Sequence, residues 1–167
     1  MSKVFKNVKG EVILGSQYTY VMEELISNAE KSISVMQFYI SFSLQNTVSP
    51  VNKLVNLLIE AKNRGVDVTV VMDKDKDDDV YNSRMINLPT YEILKKNQIN
   101  VFFDTEEKVT HSKIAVFDKN IVVIGSHNWT AASFTYYDET SIKIISAKVG
   151  EYYSDYIDAH IKEFGKP

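Results

Sequence analysis

Cysteine is absent from the 167 residues. That excludes a disulfide framework and any thiolate metal site. No apolar run approaches the roughly 20 residues that a membrane-spanning helix needs. The opening stretch, MSKVFKNVKGEVILG, lacks the apolar centre of a signal peptide. Together these absences predict a cytoplasmic protein without an integral membrane segment. Basic charge is not in excess either: 19 Lys and Arg face 22 Asp and Glu, for a net charge of −3. The global electrostatic footprint of a nucleic-acid binder is therefore missing, and only a local basic groove, set by folded position, is left open. Metal-ligand spacing is also lacking. Asp73, Asp75 and Asp77 alternate as in a calcium loop, but Asp78 stands where that loop needs glycine and Arg84 where it needs glutamate. Lys74–Asp79 reads instead as a solvated charge run, and neither metal nor cofactor is expected.

What remains is ordinary for one soluble domain with a real core, spanning residues 1–167: 44% of residues are hydrophobic and 25% charged. No internal repeat or low-complexity segment interrupts it. Glu11–Leu14 reads as a strand ended by Gly15, with Ser16 positioned to cap a helix. Val21, Met22, Leu25, Ile26 and Ala29 give that helix one buried face. Ile33–Ile40 is a strand and Phe42–Ser49 a polar loop. Ser49-Pro50 starts a helix with apolar Leu54, Leu57, Leu58 and Ala61, which Gly65 ends. Val66–Met72 is apolar enough for a strand covered on both faces. Pro89–Asn97 suggests a short helix, Ile99–Phe103 a strand, Thr130–Tyr136 a short helix, Thr140–Ser146 a strand and Val149–Phe164 an amphipathic helix. Strands alternating with helices imply an α/β fold. A hairpin near residue 118 adds antiparallel pairing, so the expected sheet is mixed, with helices on both faces.

The chemistry gathers in His111–Asn128, HSKIAVFDKNIVVIGSHN. His111 and Lys113 are two apart and so share one side of a strand. Asp118-Lys119-Asn120 is a turn signal, and Ile121–Ile124 leads to Gly125, Ser126 and Asn128. An ammonium, an amide, a hydroxyl and an imidazole suit a phosphate: charge, neutral donors, and a group able to attack phosphorus or pass a proton. The spacing His111-x-Lys113-x4-Asp118-x6-Gly125-Ser126-x-Asn128 resembles the signature of the phospholipase D superfamily, and in particular its short bacterial nucleases with one motif per chain. The similarity runs from about Ser32 to Phe164.

The resemblance implies a phospholipase D-like fold and a metal-independent phosphodiesterase acting through a phosphohistidine at His111. Lys113 and Asn128 would hold phosphate oxygens. Glu139 would be the carboxylate that orients the histidine. Ser126 has two roles open to it, bonding the phosphate or holding the loop, while Asp118 and Gly125 serve the motif's architecture. His127 and His160 lie outside any H-x-K setting and read as incidental; Trp129 and Phe134 read as core. The superfamily's chemistry uses two histidines with opposite roles, so the resemblance implies a homodimer sharing one site on its two-fold axis. Nucleic acid is the favoured substrate. A phospholipid phosphodiesterase and a non-hydrolytic nucleic-acid-binding module are the alternatives.

Overall fold

A computed structural model describes residues 3–76 and 80–166. Within them, seven strands form one mixed sheet: β1 (Lys9–Leu14), β2 (Ser32–Gln37), β3 (Asp67–Met72), β4 (Asn100–Phe103), β5 (Lys113–Phe117), β6 (Ile121–Gly125) and β7 (Thr140–Ile145). Their order is β1-β7-β6-β5-β2-β3-β4. The pairs β2·β3 and β3·β4 are parallel and the rest antiparallel. The helices are α1 (Gln17–Asn28), α2 (Pro50–Asn63), α3 (Ser83–Lys96), α4 (Ala131–Thr135) and α5 (Ala147–Phe164).

Alternation along the strands divides the core into two layers. On β5, Ala115 and Phe117 point to a large layer that also holds Met22, Ile26, Leu54, Leu58, Leu94 and Phe134 from α1 to α4. Ile114 and Val116 point to a smaller layer under α5, with Val149 and Ile157. Each such Val, Leu, Ile, Phe or Met side chain, fully buried, contributes about 1.5–3 kcal/mol. β3 has Val68, Val70 and Met72 in one layer and Val71 in the other, as its unbroken apolar run predicts. The expected mixed sheet with helices on both faces is what forms. Trp129 and Phe134 lie in the core, and the Trp129 indole donates to the Tyr18 hydroxyl at 3.0 Å.

Several boundaries differ from the sequence reading. Ser16 precedes α1 without a side-chain cap bond, whereas Ser49 Oγ accepts from Val51 N–H at 3.2 Å, with Pro50 opening α2 as predicted. β2 stops at Gln37; Ile40 makes an isolated bridge to Trp129 instead. The largest difference is α3, which begins at Ser83 and carries Pro89 in its interior. The cause is Asp75. Its carboxylate accepts the Ser83 and Arg84 N–H groups at 3.0 and 2.9 Å, while Ser83 Oγ accepts the Asp75 N–H at 2.9 Å. Asn87 and Thr90 then bond the backbone of Phe38, Ile40, Phe42 and Asp73. These bonds outweigh the ~3 kcal/mol an interior proline costs. The expected solvated charge run is thus corrected at Asp75, which is buried along with the adjacent Asp73. Lys74 pairs with Glu106 at 2.8 Å. Asp77, Asp78 and Asp79 lie outside the described residues.

Two residues of the His111–Asn128 stretch hold architecture. Asp118 sits at the β5–β6 turn with φ of 51°. Its carboxylate accepts the backbone N–H groups of Glu30, Lys31 and Ser32 at 3.1, 2.7 and 2.9 Å, tying the hairpin to the α1–β2 connection. Gly125 ends β6 opposite Ser141. A Cβ there would lie 2.2 Å from Ser141 Oγ and 2.3 Å from the Thr140 carbonyl.

Removing the Asp118 carboxylate (Asp118→Ala) leaves three backbone donors without their acceptor and should cost about 1–2 kcal/mol, comparable to losing a helix cap. Burial alone would raise this carboxyl, but the three amides hold it below its ordinary value. Its contribution is therefore present above the unfolded pKa of ~3.9 and lost as pH falls through the lower folded value. Urea midpoints of wild type and variant should differ at pH 7 and converge in acid; a constant gap refutes the assignment. Gly125→Ala forces backbone apart and should cost roughly 3 kcal/mol, the upper end of overpacking penalties. Thermal melts read this directly, and an unchanged Tm would contradict the close approach.

Candidate phosphate site

The ends of β2, β3, β4 and β6 and the start of β5 meet at one edge of the sheet. Between β5 and β2 the parallel run of strands gives way to antiparallel ones, and a crevice at such a switch in strand order is where open α/β sheets bind ligands. Lys113 is the first residue of β5 and points into the large core layer, directly opposite Gln37 at the end of β2. His111 lies just before β5 rather than on it, but on the same side. Its ring centroid is 4.6 Å from that of Phe38, and the Lys113 ammonium is 5.0 Å from the same ring. Lys113 Nζ also donates to the His111 carbonyl at 2.7 Å. The imidazole is exposed, and its ring nitrogens make no hydrogen bond among the described residues.

Lys113 is only 8% exposed. Burial pushes its pKa down to about 8, against the opposing charges of Glu139 and Asp73. Burial also lowers His111, and the Lys113 charge lowers it further. At neutral pH the site therefore holds a cation beside an imidazole biased toward its neutral, nucleophilic form.

The loop after β6 completes the group. Trp129 N–H donates to the Tyr39 carbonyl and Ser41 N–H to the Trp129 carbonyl, both at 2.9 Å, so the segments following β2 and β6 run together. Asn128 precedes Trp129, and its Oδ1 is buried without a hydrogen bond. Ser126 holds the loop: its hydroxyl accepts from Thr140 N–H at 3.0 Å and donates to the Thr140 carbonyl at 3.2 Å. Glu139 does not meet His111 within the chain. Its Oε1 accepts from Ser133 Oγ at 2.9 Å, and its charge bears on Lys113 and His127.

The other two histidines are structural. His127 is fully buried and stacked on Tyr18 at 4.2 Å. One ring nitrogen lies 3.1 Å from the Gly15 carbonyl, which only accepts, so that nitrogen carries the proton and Nδ1 accepts from Ser141 Oγ at 2.8 Å. His160 Nε2 is 3.1 Å from Asp104 Oδ1 and 3.4 Å from Thr110 Oγ1. Thr110 Oγ1 donates to the other oxygen of Asp104, and Thr110 N–H donates to Asp73 Oδ1 at 2.6 Å. This buried chain fixes the backbone immediately before His111.

Two site residues were missed from sequence. Asp73 is fully buried, with its Oδ2 unbonded. Burial raises its carboxyl, as do the charges of Asp104 and Asp75, while the Thr110 N–H and the nearby Ser83 hydroxyl oppose them. Gln37 is likewise fully buried, with both amide atoms unbonded. A polar residue on an apolar strand was the available signal. Among the described residues, the buried side-chain polar atoms lacking a hydrogen bond belong to Gln37, Asp73 and Asn128 alone.

Residues 22–161 match the family described as the cardiolipin synthase, PLD-like domain. Phospholipase D of Rickettsia prowazekii is 30% identical over 135 residues, covering 81% of this chain and 58% of that protein. The chain thus spans under two thirds of that relative's length. Among solved structures, Nuc, a phospholipase D family member from Salmonella typhimurium, superposes with a TM-score of 0.78 at 20% identity, over 96% of this chain and 97% of that one. NucT from Helicobacter pylori gives a TM-score of 0.73 at 13% identity, over 96% and 100%. These two likenesses carry the fold; the domain match carries the family. With the motif, the sheet that presents it and this match in agreement, the chain belongs to the phospholipase D superfamily, in its PLD-like domain family.

Proposed function

We propose that this protein hydrolyses phosphodiesters, with nucleic acid as substrate, at a site completed by a second copy of the chain. One observation carries the reading. Of three histidines, His127 and His160 are buried and committed to structural bonds, so each chain has one imidazole available for chemistry. Hydrolysis through a phosphohistidine needs two. In the first step His111 of one copy attacks phosphorus in line; the N–P bond forms, the P–O bond breaks, and His111 of the other copy gives its proton to the departing oxygen. The second imidazole, now neutral, takes a proton from water, whose oxygen displaces the first and regenerates both groups. Lys113 and Asn128 from each copy hold the phosphate oxygens, filling the charge-neutralising role a divalent ion has elsewhere. Glu139 Oε2 makes no hydrogen bond among the described residues and is left to orient an imidazole.

Two points support nucleic acid over lipid. The structural likeness to Nuc and NucT covers nearly the whole of both those chains. Among the described residues no helix is long and apolar enough to cross a membrane. The 30% identity to a protein named phospholipase D supports the lipid alternative. Single-stranded DNA, RNA and phosphatidylcholine vesicles assayed side by side decide between them; turnover of the vesicles alone would overturn the nucleic-acid reading.

His111→Ala should lower turnover at least about 10³-fold, the scale of a lost nucleophile or acid–base group. The melting temperature should barely change, since the ring is exposed. Turnover near wild type would sink the mechanism. With wild-type fraction f and free subunit exchange, activity of wild-type and His111→Ala mixtures should follow f squared, because only wild-type pairs hold two imidazoles. A linear dependence with isolated tagged heterodimers in hand would refute the shared site. Hydrolysis should also persist in excess EDTA; loss with chelator and recovery with magnesium would point to different chemistry.

A further inference from the structure

Gln37 occupies an unusual place. It is the last residue of β2, its register partner is Lys113, and it is 0% exposed. Directly opposed residues of an antiparallel pair have Cβ atoms about 5 Å apart, so a glutamine and a lysine there are within reach of one another. Asn52, Asn87, Thr90, Asp75 and Ser83, also buried, all have their bonds. Gln37 has none on either amide atom. Leaving such a group unpaired leaves the desolvation of both its polar atoms uncompensated, so glutamine is a poor residue for this position unless a partner exists in some state of the site.

The partner's chemistry can be read from the neighbours. Lys113 has three N–H donors, and the bond recorded for it is one, to the His111 carbonyl. Near it lie two buried oxygens without donors, Gln37 Oε1 and Asp73 Oδ2. On the far side of Gln37, Tyr18 takes the Trp129 indole N–H. Gln37 lies near enough to the Tyr18 hydroxyl to oppose the burial that pushes that phenol up. An amide that turned its nitrogen toward that hydroxyl would turn its carbonyl toward Lys113.

We propose that Gln37 is a positioning residue for Lys113: its amide carbonyl accepts one N–H of the ammonium and aims the others at a tetrahedral anion in the site. The inference rests on the reading of Lys113 as the phosphate-binding charge and extends the anion site below the H-x-K pair into β2. It also accounts for an ammonium that keeps its proton despite its burial. A neutral acceptor favours the charged form of a desolvated amine, in the same sense as the nearby carboxylates. The titratable or charged groups bearing on Lys113 are His111 on its own segment, Asp73 after β3 and Glu139 before β7.

Sulfate is the probe for the test, because it is tetrahedral, inert to hydrolysis and constant in charge over the range needed. Its affinity for the full chain is measured by calorimetry from pH 6 to 9.5, alongside thermal melts. In wild type, affinity should fall as Lys113 loses its proton near pH 8. Gln37→Met keeps the shape and removes both unpaired polar atoms. It should melt at or above the wild-type temperature, yet bind sulfate about tenfold more weakly at pH 7, with the fall in affinity moved about one pH unit lower. Gln37→Glu keeps the accepting oxygen and should hold the fall at or above the wild-type pH. A purely structural glutamine would shift the melting temperature and leave both sulfate readings alone. Sulfate affinity within twofold of wild type in Gln37→Met overturns the proposal. Should that variant fail to fold, a fall moved lower in Gln37→Glu overturns it, and a fall at or above the wild-type pH supports it. Wild type that cleaves phosphodiesters but does not bind sulfate refutes this inference and leaves the hydrolase reading standing. Wild type that binds sulfate but cleaves nothing refutes the hydrolase reading, while the sulfate comparison still judges Gln37.

Discussion

A lysine ammonium held inside the large core layer of a sheet is the constraint around which this structure is arranged. Lys113 points the same way as Ala115 and Phe117, toward apolar side chains, and a lone charge there would lose its proton rather than pay full desolvation. The surroundings keep it charged at neutral pH by degrees: a backbone carbonyl at hydrogen-bond distance, the face of Phe38, and two carboxylates acting at longer range. None of these saturates it. A fully paired ammonium would have no donor left for the phosphate that the proposed function assigns to it, and on that reading the incomplete pairing of Lys113 and the unbonded atoms of its neighbours belong to one arrangement.

Rigidity comes from elsewhere. Asp118, at the far end of β5, uses its carboxylate on three backbone amides. His127 and Ser141 join the β6 loop to β7 and to Gly15. The His160–Asp104–Thr110 chain fixes the approach to His111. The stiff groups lie around and behind the site, while the exposed His111 imidazole projects from its rim with no hydrogen bond among the described residues. On the proposed function, such a division would let the histidine change bonding partners through a reaction cycle without disturbing the fold.

Much of this was legible in the sequence, because the signals were local. The two-residue spacing of His111 and Lys113, the turn at Asp118 and the apolar runs of β3, β5 and β6 each reflect a backbone period or a turn preference. What escaped were effects of residues distant in sequence. Pro89 suggested a helix start, yet Asp75 and Asn87 bonds placed the start at Ser83. Asp75 looked solvated within a charged stretch, and its partners Ser83 and Arg84 make it an interior residue. Gln37 reads as an odd polar residue on an apolar strand until the register sets it against Lys113. Glu139, taken from the family resemblance as the histidine's partner, bonds Ser133 within the chain.

The strand order also bears on how the molecule is made. β1 has a single neighbour in the sheet, β7, the last strand to be synthesised. Until residues 140–145 emerge, Val12 and Leu14 lie on a strand with no partner, and both remain exposed afterwards on a sheet edge. The strands on the other side of the sheet, β2 to β4, can pair much earlier. A growing chain therefore carries this unpaired segment until β7 is made, the kind of segment that recruits other chains. Slow translation of the residues between β1 and β7 would lengthen that exposure.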